Sequence, residues 1–143
     1  MINDGLKITG AVAIALNGKV VEEIPNLVVT AGKGYVASRM KDASATAMSH
    51  MAIGTGSTTA AAGQTTLVTE VARGALTSTT VSTNTIAYVE TFAAGTGTGA
   101  IVEAGVFNAS SGGTMLCRTV FTAGVVNKGA SDEMTITWTI TVS

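Results

Sequence analysis

The hydrophobic and polar positions of the last ten residues alternate without a break. Met134, Ile136, Trp138, Ile140 and Val142 are apolar, and Thr135, Thr137, Thr139, Thr141 and Ser143 are small hydroxyl residues. Side chains of a β-strand point to opposite faces in turn, so this pattern predicts a long strand with one apolar face and one Thr face. β-branched Ile, Val and Thr are stiff at χ1 and suit a pleated surface. Trp138 is the chain's lone Trp and is expected in the core. A similar alternation of Leu6, Ile8, Val12, Ile14 and Leu16 predicts a first strand over 6–16. Asn17-Gly18 accepts the positive φ of a type I′ hairpin turn, and Lys19–Ile24 returns as the second strand. Pro25 ends it, because proline cannot donate to a ladder.

Further along, Thr30 is an N-cap candidate for a short helix over Lys33–Lys41, where Val36 and Met40 share a face. Gly32 and Gly34 weaken its first turn. A loop is expected over 43–47 and a third strand over 48–54. The stretch 57–63 is small and flexible. Leu67, Glu70, Val71 and Arg73 have the spacing of one or two helical turns. Strands follow at 76–82 and 86–92 around Thr83-Asn84, with a Gly-rich turn at 95–99. The hairpin 100–108/114–121 closes on Ser110-Ser111-Gly112-Gly113, and a loop over 127–132 precedes the final strand. The count is about eight strands and one or two helical insertions in a single domain over 1–143, with residues 1–5 as a flexible arm. This predicts an all-β, jelly-roll-like antiparallel sandwich.

In the 100–121 hairpin, placing Asn108 opposite Gly113 puts Val102, Ala104 and Val106 with Thr119, Cys117 and Met115 on a core face. The opposite face carries Ile101, Glu103, Gly105, Phe107, Leu116, Arg118 and Val120. It sets a Glu103–Arg118 ion pair among apolar residues, where a solvent-facing strand would be polar. Something must cover it, either a helical segment of the same chain or another chain. Ile101, Glu103, Phe107, Leu116, Arg118 and Val120 are therefore the candidate interaction face, expected to be buried by a second copy or another protein.

Composition narrows the chemistry. Charged residues make up 12% of 143, about half the usual share, and the net charge is −1. That leaves no basic footprint for nucleic acid. One Cys and one His cannot make a disulfide or a His/Cys zinc site within the chain. No apolar run approaches about 18 residues, so no membrane-spanning helix is expected. The segment Lys7–Leu16 has the length of a signal-peptide core, but its alternation and its Asn-Gly end read as a strand. His50 is the single possible imidazole base, with no Ser in a nucleophile-elbow setting, and reads as structural beside Met48 and Met51. Glu90 and Glu103 could be paired glycosidase carboxylates, but the aromatic platform is missing at 4% aromatics. Cys117 falls on the core face as an inert thiol. The Gly54-Thr55-Gly56 and 95–99 segments lack the Lys-Ser/Thr of a phosphate loop. No catalytic residue, metal or cofactor is expected.

Several motifs occur in a telling order: Met51-Ala52-Ile53-Gly54-Thr55-Gly56, Leu67-Val68-Thr69-Glu70-Val71-Ala72-Arg73, Glu103-Ala104-Gly105-Val106-Phe107-Asn108, Gly113-Thr114-Met115-Leu116-Cys117-Arg118 and the Thr-alternating last strand. Over roughly 26–143 they resemble capsid cement (decoration) proteins of short-tailed bacteriophages. Similar motifs appear in phage tail or fibre components. The resemblance implies a β-sandwich, paired as a homodimer, fastened to the major capsid protein on the exterior of the virion. A tail or fibre component that contacts a host receptor, and a ligand-binding β-sandwich module, are the alternatives.

Overall fold

The computed structural model describes residues 5–41 and 45–143. The arm expected over 1–5, apart from its last residue, and the start of the loop expected over 43–47 lie outside the described residues. In chain order the strands are β1 (Ile8–Leu16), β2 (Lys19–Pro25) and β3 (Leu27–Val28), then the helix α1 (Thr30–Lys41). They continue with β4 (His50–Gly54), β5 (Glu70–Ala75), β6 (Ser78–Ser82), β7 (Thr85–Phe92) and β8 (Gly99–Ile101). The last four are β9 (Glu103–Phe107), β10 (Met115–Val120), β11 (Val126–Lys128) and β12 (Met134–Val142). One five-stranded sheet runs β2-β1-β12-β7-β6, and the other runs β3-β10-β9-β4-β5. A two-stranded ribbon, β11-β8, closes one end. All pairings are antiparallel. The described residues form an all-β sandwich with one helix.

The terminal strand sits at the centre of the first sheet, between β1 and β7, with Val12 and Tyr88 flanking Trp138. Met134, Ile136, Trp138 and Ile140 all point between the sheets, and Trp138 is fully buried. The β1–β2 turn has the expected left-handed pair, φ 50° at Asn17 and 81° at Gly18. Against Trp138 the second sheet packs Met51, Ile53, Ala104, Val106, Leu116 and Cys117, so the main core is built from both inner faces.

Three expectations change. The helix-like spacing at 67–73 belongs to no helix: Glu70–Ala75 is edge strand β5, and Leu67 is a loop residue anchored in a second small core. The helix begins at Thr30, so it includes Gly32 and Gly34 rather than being weakened out of its first turn. Gly32 is there because the helix lies directly on β10, and a methyl group on it would collide with the Leu116 carbonyl. Strand number also rises beyond eight, because β5 is a strand rather than helical turns and because the two- and three-residue strands β3, β8 and β11 carry too few positions to show a period.

The hairpin register differs by two residues from the expected one. Val106 faces Cys117, Gly105 faces Arg118 and Ala104 faces Thr119. An even shift leaves the faces unchanged, so Glu103 and Arg118 share the outer face as diagonal neighbours. A bulge between Met115 and Cys117 then reverses two residues. Met115 joins Phe107 on the outside, and Leu116 turns into the main core.

Candidate functional site

The sequence-derived interaction face is closed by its own chain. Ile101 and Leu116 are in the main core, because the strand breaks at Val102 and because of the bulge at Leu116. Phe107 lies on the outer face of the second sheet with Met115, Val29, Ala52 and Leu67 in the second core. Glu103 and Arg118 are both fully buried, and Val120 alone of the six is half-buried. The expectation that a second copy or another protein buries this face is therefore corrected. The alternative, a cover from the same chain, is what occurs, and the cover is mostly the loop 55–69 rather than a helix.

The Glu103 carboxylate holds that loop. Its Oε1 accepts the Gly56 and Thr69 N–H groups at 3.1 and 2.7 Å, and Oε2 accepts the Val68 N–H at 3.0 Å. Arg118 donates Nε and Nη2 to Oε2 at 3.0 and 2.7 Å. Its Nη1 reaches the Thr58 carbonyl at 2.9 Å and Gln64 Oε1 at 3.0 Å. A buried ion pair offsets its desolvation only when its remaining donors and acceptors are also satisfied. Here backbone groups of the loop satisfy them, so the pair acts as a clip between sheet and loop. Arg73 adds a second clip: it pairs with Glu70 at 2.7 Å and stacks 3.8 Å from the Phe107 ring centre. It also donates to the Ala109 and Gly112 carbonyls at the β9–β10 turn.

The other candidates for chemistry are dispersed. His50 opens β4, half-buried, with Nδ1 2.8 Å from Ser49 Oγ, and no carboxylate hydrogen-bonds to it among the described residues. Glu90 points between the sheets from β7, whereas Glu103 is on the far side of the second sheet, so the two cannot act as a carboxylate pair across one ligand. Burial pushes the Glu90 carboxyl up from its ordinary value, and the Thr77 hydroxyl that donates to it at 3.2 Å partly opposes this. Cys117 is in the main core, where burial raises its thiol. No group of three or more potential metal-ligating side chains occurs among the described residues. The sequence reading also missed Lys128, which is buried with its ammonium on the Ala93 and Asp132 carbonyls at 2.9 and 2.7 Å.

One surface is distinctive. The outer face of the first sheet carries Thr9, Ala11, Ala13 and Ala15 on β1, Thr135, Thr137, Thr139 and Thr141 on β12, and Thr85, Ala87, Val89 and Thr91 on β7. Ser78, Thr80 and Ser82 extend it on β6, and Val20, Glu23 and Pro25 on β2. Among the described residues of these strands Glu23 is the one charged residue at an outward position, and the exposed Lys7 and Glu133 continue the face in register at its two ends. Thr91 and Thr135 share a hydroxyl hydrogen bond of 2.9 Å across it. Strands of 7, 9, 9, 8 and 5 residues at ~3.3 Å per residue and ~4.8 Å apart give a face of roughly 600 Å², below the ~800 Å² per partner of a standard interface.

Fold and surface together define an antiparallel β-sandwich with one open, nearly uncharged sheet face and one face sealed by its own loop. No known family, curated protein or solved structure matches the chain. No helix among the described residues is long and apolar enough to cross a membrane.

Proposed function

We propose that this protein is a virion structural protein that binds the outside of an assembled phage capsid and cements its major capsid protein subunits. The observation that carries the reading is the broad Thr/Ala face of the first sheet. Short side chains lose little rotamer freedom on docking, and Thr is already stiff at χ1. A face with one charge within its strands asks for little desolvation of ions, and the pleated sheet beneath it is rigid, so the ordering cost of binding is low. These are the needs of a clamp that contributes area rather than chemistry. A protein that binds assembled subunits but not free ones stabilises the shell by mass action. The order of motifs that resembles phage decoration proteins supports the same reading.

The test is co-sedimentation with capsids stripped of this protein. Wild type should pellet with shells and not with free capsid subunits. A Thr137→Lys/Thr139→Lys variant puts two charges at the centre of the face, where both side chains point outward from β12. It should bind at least about tenfold more weakly, a loss of ~1.4 kcal/mol, while its unfolding midpoint stays near wild type. Equal binding by the variant would remove this face from the contact. Binding to the tail rather than the shell would replace the cement reading by a tail component.

A further inference from the structure

Among the described residues the two five-stranded sheets end in four edge strands, and they are not alike. Edge strands offer unpaired N–H and C=O groups to any other strand, and natural proteins block them with charges, proline, bulges or extreme shortness. β2 carries Lys19, Glu22, Glu23 and Pro25 and a register shift at Ile14/Ala15. β3 has two residues and runs almost at once into α1. β5 carries the Glu70–Arg73 pair and a register shift at Ile53/Gly54. β6 has none of these devices. Ser78, Thr79, Thr80, Val81 and Ser82 are all exposed, uncharged and paired to β7 in continuous register, and Val81 is 70% exposed.

We infer that β6 is a self-association edge, pairing antiparallel with β6 of a second copy to form one continuous ten-stranded sheet. A second copy is the fitting occupant because the strand reads nearly the same in both directions. With the two-fold axis at Thr80, Ser78 lies opposite Ser82 of the partner subunit, Thr79 opposite Val81 of the partner subunit, and Thr80 opposite itself. No charge faces a like charge, and the Thr–Val and Thr–Thr pairs are of a strand-favouring type. An isologous pairing of this kind closes, so the product is a dimer and not a fibre. Val81 lies with Ile86, Ile140 and Val142 beside an open apolar cleft at this end of the sheet, and pairing brings it cover. The dimer also sets two copies of the Thr/Ala face side by side on one sheet. The inference does not depend on what that face binds.

The contact is short, of the weak-interface class, so it is tested by sedimentation equilibrium at up to roughly 0.5 mM protein. Wild type should be a dimer. Thr80→Lys and Thr80→Glu each place like charges opposite one another on the axis, and each alone should be monomeric with wild-type circular dichroism. An equimolar mixture of the two should recover dimer, which a merely destabilised fold would not do. Independently, Thr80→Cys should form an intermolecular disulfide on oxidation, since Cys117 is buried and cannot compete. A monomeric wild type, a Thr80→Lys variant that still dimerises, a mixture that stays monomeric, or a Thr80→Cys variant that does not cross-link would each overturn the proposal.

Discussion

Trp138 lies at the centre of the first sheet with no exposed surface, between Val12 and Tyr88. Its indole N–H has no partner among the described residues, so its value is in packing alone. Trp138→Ala should cost about 3–5 kcal/mol in urea unfolding, and a change under about 1 kcal/mol would mean the site collapses or is wet. Its place was legible because period two fixes the face of every residue in a long strand. Glu90 was legible as a carboxylate but not as an inward-facing one, since single-residue polarity opposes the pattern of its strand. Burial raises its pKa above the ordinary 4.5. The folded state then keeps a proton that the unfolded state releases, so this group's contribution to stability is present below 4.5 and is lost as pH rises through the folded value. Glu90→Gln keeps an acceptor for Thr77 and cannot ionise. Relative to this variant, wild type should lose stability between pH 4 and pH 7, measured by urea unfolding at both. Parallel profiles would show that the carboxyl titrates normally.

Elements with a long period were readable, and those fixed by tertiary contact were not. β1, β2, β7, β10 and β12 stand close to where alternation places them. β5 was misread because Leu67, Glu70, Val71 and Arg73 repeat at helical intervals, although Leu67 belongs to a loop and Arg73 to a strand. The Glu103–Arg118 pair was visible as two opposite charges on an apolar face. Its cover was not, because the bonds run from Glu103 to backbone N–H groups of a loop whose sequence is merely small and polar. Those bonds make the loop 55–69 an element in its own right. Glu103→Gln leaves Arg118 as an uncompensated buried charge and should cost about 3–5 kcal/mol. Amide exchange at Gly56, Val68 and Thr69 should quicken more than exchange within β12. A loss under about 1 kcal/mol with unchanged exchange would mean that Leu67 and its apolar neighbours hold the loop without the clip.

At the scale of the whole molecule, the two sheets differ in what they offer. The second sheet is spent internally: its outer face is roofed by the loop 55–69 and the start of α1, and its edges are guarded by the shortness of β3 and by the charges and register shift of β5. The first sheet keeps a broad face whose strands carry no outward charge but Glu23, with Lys7 and Glu133 at its ends, and stops at the unguarded strand β6. The sequence showed the Thr face as early as the pattern of its last strand. It also showed an apolar surplus in the 100–121 hairpin, and attributing that surplus to a partner was the error, since a roof within the chain satisfies the same pattern. We propose that the open face of the first sheet is the docking surface on the capsid exterior. The most direct measurement is a cryo-EM map of the intact particle, at a resolution that separates the two sheets. Density for this protein is expected on the outer shell, with β1, β12 and β7 turned toward the capsid protein and the loop 55–69 turned to solvent. Density confined to the tail, or a shell contact made through the loop 55–69 with the Thr/Ala face exposed, would contradict it.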